Sequence, residues 1–259
     1  MEQPKPEELK QSRGTTEDNR EGFMGVIAHL EELRIRLVRA ILFLTGATLL
    51  CLIFSEQLLY FLTNAFKEDT TSHLALLHPT EGFIVRLKVA FVAGIFLSSP
   101  LWFSQIWGFI SPGLYKNEKK IIIPAILFST LAFIGGAAFG YWILPMAVAY
   151  FKSFATQGMA VSWSLAKYVD FSLRILIAFG VVFEMPLIVY VMARLGIVTT
   201  SQLRKYRKHA IIGILIASGL ITPPDILTQI ILAVPLIFLY EAGILLAVIG
   251  IKKSRGKAE

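Results

Sequence analysis

Three carboxylates stand where chemistry is to be expected in a sequence otherwise short of charge. Glu32 sits in His29-Leu30-Glu31-Glu32-Leu33-Arg34, ahead of the first long apolar run. Glu118 stands among Lys116, Lys119 and Lys120 in the connector Ser111-Pro112-Gly113-Leu114-Tyr115-Lys116-Asn117-Glu118. Glu184 is embedded in an apolar run, Ala178-Phe179-Gly180-Val181-Val182-Phe183-Glu184-Met185-Pro186. The first two can offer a cationic ligand a pair of carboxylates, and arginine suits them because its planar fork bonds a carboxylate through two donors. Each also has a plainer reading as an ion pair. Glu32 and Arg36 are four apart on a helix, a pairing that contributes about 0.3 to 0.5 kcal/mol, and Glu118 balances its neighbouring lysines. Glu184 differs in kind. An ionised acid near the middle of a bilayer costs several kcal/mol unless paired, hydrated or protonated, so a functional role is the default. Glu241 lies nearer the end of its run, where snorkelling weakens that case. Tyr141 and Gln229 are polar groups inside apolar runs; either can hydrogen-bond a partner helix or stay within the bundle.

The search for catalytic machinery finds no H-E-x-x-H, no G-x-S-x-G and no G-x-x-x-x-G-K-[ST], so zinc proteolysis, hydrolase elbows and P-loop nucleotide hydrolysis lack their parts. The four histidines, His29, His73, His78 and His209, are scattered along the chain, and Cys51 is the single cysteine. No metal site, disulfide framework or cofactor is expected, and the protein is not read as an enzyme. A chain that moves something without these must draw on an ion gradient, on a partner or on binding energy.

The elements that position these acids follow from composition. Of 259 residues, 55% are apolar and 17% charged, against about 25% charged in an ordinary soluble domain. Runs almost free of charge span 40–55, 89–111, 121–150, 175–193, 210–224 and 226–251. Lipid offers no partner to open backbone groups, and the runs lack the alternation of barrel strands, so they read as helices. The fold class is all-α: a polytopic membrane protein of six transmembrane helices, the third ending near Leu144. Residues 1–22 are polar and read as a flexible extension, 23–251 as the transmembrane domain and 252–259 as a basic tail. No cleavable signal peptide is read at the start.

Lysine and arginine set the orientation. Fifteen of them, from Arg34, Arg36 and Arg39 to Lys252, Lys253, Arg255 and Lys257, flank one side of the spans, and Lys67, Lys152 and Lys167 flank the other. Both termini are therefore expected in the cytoplasm. Arg86, Lys88 and Arg174 are expected to snorkel from outer helix ends. The net charge of +7 belongs to those inner loops and does not call for nucleic acid. The run 210–224 has 15 residues, reaching about 22 Å across a hydrocarbon core of about 30 Å. Thr222-Pro223-Pro224-Asp225 then makes a tight structural turn, because the prolines forbid one continuous helix. The last two helices thus form a short hairpin. Pro100, Pro124, Pro145, Pro186 and Pro235 favour bends, and Gly136 with Gly140 reads as a close helix contact.

Together, these segments resemble TatC, the multi-span receptor subunit of the twin-arginine protein translocase. The resemblance rests on the Glu32 segment, on Phe109-Ile110-Ser111-Pro112-Gly113-Leu114-Tyr115 with Glu118, on the Glu184 segment, and on Thr222-Pro223-Pro224-Asp225 with Gln229. These motifs fall at matching topological positions between about residues 24 and 251; the extension before Phe23 is not part of the family pattern. The resemblance implies a glove-like curved wall of six kinked helices in the bacterial inner membrane. It implies binding of signal peptides with two adjacent arginines on the cytoplasmic face, and export of folded proteins on the proton motive force. Glu32, Arg34, Phe109 and Glu118 would form the signal-peptide site, and Glu184 would be the intramembrane acid facing the concave pocket. Tyr141 and Gln229 would meet the single-span partners TatA and TatB, and further copies of the chain would join the complex. The rival reading is a proton-coupled secondary transporter of a small solute that uses Glu184; it predicts paired structural repeats, which the sequence does not display.

Overall fold

The computed structural model describes the backbone of residues 6–66, 72–110, 122–154, 161–221 and 226–255. Side chains are described from residue 29, except at 72, 161, 220, 221, 227, 228 and 250–255. Ten helices and two short strands follow one another among these residues: α1 (Pro6–Ile53), α2 (Ser55–Asn64), β1 (Ser72–Ala75), α3 (Glu81–Leu97), α4 (Ser99–Ile110), α5 (Ile122–Lys152), β2 (Val161–Ser164), α6 (Leu165–Phe183), α7 (Met185–Arg194), α8 (Thr200–Lys205), α9 (Arg207–Ile221) and α10 (Ile226–Arg255). The all-α membrane class holds. Four helical stretches, His29–Ile53, Ile122–Lys152, Leu165–Arg194 and Gln229–Ile249, are long and apolar enough to cross a bilayer. The bent pair α3 and α4 makes a fifth. The 15 residues of α9 fall short of a full crossing at about 1.5 Å each. Helical backbone runs from Pro6 into the 1–22 extension, whose side chains lie outside the described residues; its Glu, Lys, Gln and Arg are all good helix formers.

Apolar side chains point outward as well as inward. Ile53, Ile123 and Phe238 are each more than 70% exposed, which in water would be an aggregation hazard and in lipid is the expected surface. Within the first crossing only 6% of the most apolar window is buried, so α1 lies at the rim of the bundle.

Prolines break helices here where the freed carbonyl finds a new donor. Pro100 cannot donate to the carbonyl of Phe96; the Ser99 hydroxyl does so instead at 2.7 Å, and α3 and α4 meet at 53° around Ser98. A second break falls at Glu184, which ends α6 and begins α7, with Pro186 in the first turn of α7. By contrast α5 continues through Pro145 to Lys152, past the end expected near Leu144, because membrane helices accommodate proline when neighbours satisfy the backbone.

Glycines set the closest crossings. At Gly94 of α3 an added Cβ would stand 2.5 Å from Thr48 Oγ1 of α1. At Gly136 of α5 it would collide with the Phe179 carbonyl and lie 2.9 Å from the Cα of Gly180, while Gly140 lies against Ile175 and Phe179. The small-residue pair therefore packs α5 on α6, as expected. Gly136→Val should destabilise the protein in detergent by about 1 to 3 kcal/mol through overpacking, lowering its melting temperature. Gly135→Ala, where nothing lies within 4 Å, should not.

At one end of the bundle, β1 pairs in parallel with β2, Ser72 opposite Val161 and Ala75 opposite Ser164. The sheet ties the segment before α3 to the segment before α6. Its anchor is Glu81, 6% exposed, whose Oε2 accepts from the amides of Leu77 (2.6 Å) and His78 (3.1 Å) and whose Oε1 accepts from Ser164 Oγ (2.9 Å) and the Ala166 amide (2.7 Å). Nearby, Lys88 does not merely snorkel: its Nζ lies 2.6 Å from Asp170 Oδ1, joining α3 to α6.

Candidate functional site

The opposite end of the bundle gathers the Glu32 segment of α1 and the last turn of α4. The alternation in Ile27, Leu30, Leu33 and Leu37 predicts one apolar arc on this part of α1, with Glu32 off it. Glu32 is one-third exposed, and its Oε1 accepts two hydrogen bonds from Arg36, from Nε at 2.9 Å and Nη2 at 2.6 Å. Its other oxygen lies 4.0 Å from His29 Nδ1. The His29 ring in turn stacks on Phe109 of α4, centroids 4.4 Å apart and planes 17° apart. Glu32 and Phe109 thus lie in one place, joined through His29. Arg34 is exposed, and two helical steps turn it about 200° away from Glu32. Glu118 lies outside the described residues, as do Thr222, Pro223, Pro224 and Asp225.

Two members of this cluster carry more than sequence reasoning assigned them. Arg36, in sequence the ion-pair partner of Glu32 and one of the fifteen inner basic residues, also lies with its guanidinium against Gly108 of α4, where a Cβ would collide with it. His29 was set aside with the scattered histidines. The available signal was spacing: His29, Glu32 and Arg36 at i, i+3 and i+7 share a helix face. Beside them, Glu31, Glu32, Ile35, Arg36 and Arg39 line an open depression of about 300 Å³.

Glu184 occupies the α6–α7 break and is 7% exposed. Its Oε1 is buried with no hydrogen-bond partner among the described residues, and the Ser129 hydroxyl of α5 lies close to the carboxyl. Trp107 of α4 donates its indole N–H to Ser129 Oγ at 3.1 Å. An indole can only donate, so the serine accepts there. Three helices therefore converge on one carboxyl at mid-bundle.

The remaining polar candidates are engaged within the bundle. Tyr141 donates to the Phe61 carbonyl at 3.0 Å and stacks on the Phe61 ring. Gln229 donates to the Leu215 carbonyl at 2.8 Å, holding α10 against α9. Glu241 pairs with Arg207 at 2.8 Å across the same two helices, which accounts for a charge in the last run.

Comparison with known proteins agrees with this arrangement. The family described as Sec-independent protein translocase protein (TatC) matches residues 28–235. The Sec-independent protein translocase protein TatC of Helicobacter pylori is 41% identical over 220 residues, covering 85% of this chain and 87% of that protein. Its namesake in Escherichia coli is 33% identical over 238 residues, covering 90% and 92% respectively. A crystal structure of a twin-arginine translocase receptor, TatC, in DDM superposes with a TM-score of 0.79 at 35% identity, covering 85% of this chain and 99% of that one. None of these supports the solute-transporter alternative.

Proposed function

The chain belongs to the TatC family of Sec-independent protein translocase proteins, and on that premise we propose that it is the receptor that captures signal peptides bearing two adjacent arginines. It is an integral membrane protein and a component of a protein translocase. The observation that carries the receptor reading is the Glu32 cluster: a carboxylate one-third exposed, already bonded to a guanidinium, beside the stacked pair His29 and Phe109. Carboxylates select arginine by fork geometry, and an aromatic ring adds a face for the cation or the peptide's apolar residues. Glu118 is assigned to the same surface and Arg34 to its rim. With the fifteen basic residues facing inward, that surface lies in the cytoplasm with both termini, and the membrane is the bacterial inner membrane. The six runs form a glove-like wall, with residues 1–22 and 252–259 as cytoplasmic extensions.

Export is driven by the proton motive force together with single-span TatA and TatB type subunits and further copies of the chain. Tyr141 and Gln229 face those subunits in this reading while keeping their bonds within the bundle. Glu184 acts after docking. Purified protein in lipid discs should bind an Arg-Arg signal peptide more tightly than its Lys-Lys counterpart and should copurify with single-span proteins; equal binding of the two peptides sinks the receptor role. Glu184→Ala should dock peptide normally while exporting folded cargo several-fold more slowly. Unimpaired export would leave the acid a structural one.

A further inference from the structure

Glu32 already holds one arginine. Both Arg36 donors reach the same oxygen, Oε1, and the guanidinium rests in a recess beside Gly108 of α4, where a Cβ would press on its flexible end. We propose that this Gly108 recess is the subsite for a signal-peptide arginine, filled at rest by Arg36, so that peptide capture exchanges one arginine for another on Glu32. The inference rests on the receptor reading and specifies how that site discriminates.

The geometry imposes the exchange. A guanidinium arriving from solution bonds a carboxylate best through two parallel N–H donors, one to each oxygen. With Oε1 occupied by two donors from Arg36, an incoming fork is left with Oε2 alone and cannot form the parallel pair that spans both oxygens. Full engagement requires Arg36 to leave, and the recess it vacates fits the group that replaces it. Arg36 has somewhere to go: its side chain is one-quarter exposed and borders the open depression shared with Glu31 and Arg39.

Exchange also yields selectivity. An arginine that displaces Arg36 replaces two bonds crowded on one oxygen with a parallel pair that spans both, so the exchange is net favourable and Glu32 contributes to affinity. A lysine ammonium is a point charge without the planar fork; it breaks the same two bonds and restores them poorly. Arg36 is thus a specificity-determining residue that raises the threshold for every cation and raises it most for lysine.

The test uses the full chain in lipid discs, with fluorescent signal peptides carrying Arg-Arg or Lys-Lys and affinities read by anisotropy. In the wild type, Arg-Arg should win, and Glu32→Gln should weaken it. Arg36→Gln should bind the Arg-Arg peptide about two- to five-fold more tightly, the range expected when a partly exposed competing ion pair is removed. It should gain more for the Lys-Lys peptide, so that discrimination narrows. Gly108→Ser, which fills the recess, should weaken Arg-Arg binding both alone and combined with Arg36→Gln; unchanged melting temperature and a monodisperse elution profile establish that it is folded. Weaker or unchanged Arg-Arg binding by Arg36→Gln, with wild type and Glu32→Gln as expected, overturns the exchange and leaves the receptor reading standing. Wild-type binding by Gly108→Ser does the same. A wild type that does not prefer Arg-Arg, or a Glu32→Gln that binds as the wild type does, overturns both.

Discussion

Glu81→Ala should release the two-stranded sheet from the helices it caps. The carboxylate is the common acceptor for three backbone amides and one hydroxyl drawn from two stretches, the loop before α3 and the junction of β2 with α6, that lie more than 80 residues apart in sequence. Removing it leaves the amides of Leu77, His78 and Ala166 without their acceptor together, and because these bonds are only part-buried, water recovers part of what is lost. The loss should appear as a fall of about ten-fold or more in protection from hydrogen exchange, read at these three amides and at the strand residues 72–75 and 161–164. Glu81→Gln keeps one acceptor oxygen and should lose about half as much. Retained protection in Glu81→Ala would mean that the strand pairing, rather than the acid, fastens this end.

A comparably large effect is expected at the other end of the molecule. Replacing Glu32 with Ala removes the acceptor of a charge-assisted contact with the peptide's arginine, a kind of bond that contributes about 1.5 to 3 kcal/mol, so affinity for the Arg-Arg peptide should fall about ten- to a hundred-fold. Glu118→Ala should act in the same direction, and the double variant should fall further than either alone. Because the contact is partly exposed, wild-type affinity should also decline as salt rises, and the Glu32→Ala variant should show a shallower dependence. Equal crosslinking of the peptide by wild type and by both single variants would remove the assignment of these acids. Circular dichroism and elution profile should be unchanged, since the Glu32–Arg36 pair is one helical turn on a partly exposed face and contributes little to folding.

The contrast between these acids explains what the sequence could disclose. The apolar runs announced the helices because bilayer thickness imposes a length that composition must match. Glu32 was legible because its spacing to Arg36 is a local property of one helix. Glu81 was not: an acid in the first turn of a helix is ordinary at that position, and its donors at Ser164 and Ala166 come from the distant junction of β2 with α6. The strands escaped notice for a related reason, since a parallel pair of four-residue segments has no hairpin turn to signal it. Arg36 rather than Arg34 faces Glu32, a choice that the 100° step per residue already contained. The collision of its guanidinium with any side chain at residue 108 depends on how α1 lies against α4, and no local pattern encodes that. Lys88 shows the limit in reverse, because its partner Asp170 becomes a neighbour only when α3 packs on α6.

The breaks at Ser98 and Glu184 have a mechanical consequence. Both lie about a dozen residues or fewer from the same end of their helices, and one contact joins their neighbourhoods: Phe96 of α3, Phe133 of α5 and Gly180 of α6 meet one another. Above this level the paired strands, the Glu81 knot and the Lys88–Asp170 link clasp the segments together. Below it, α4 turns at its break to pack on α1 and α5, and α7 turns at its own to pack on α10. Any bend between the two ends of the bundle therefore has its pivots at Ser98 and Glu184, with the clasped sheet on one side and Glu32 and Phe109 on the other.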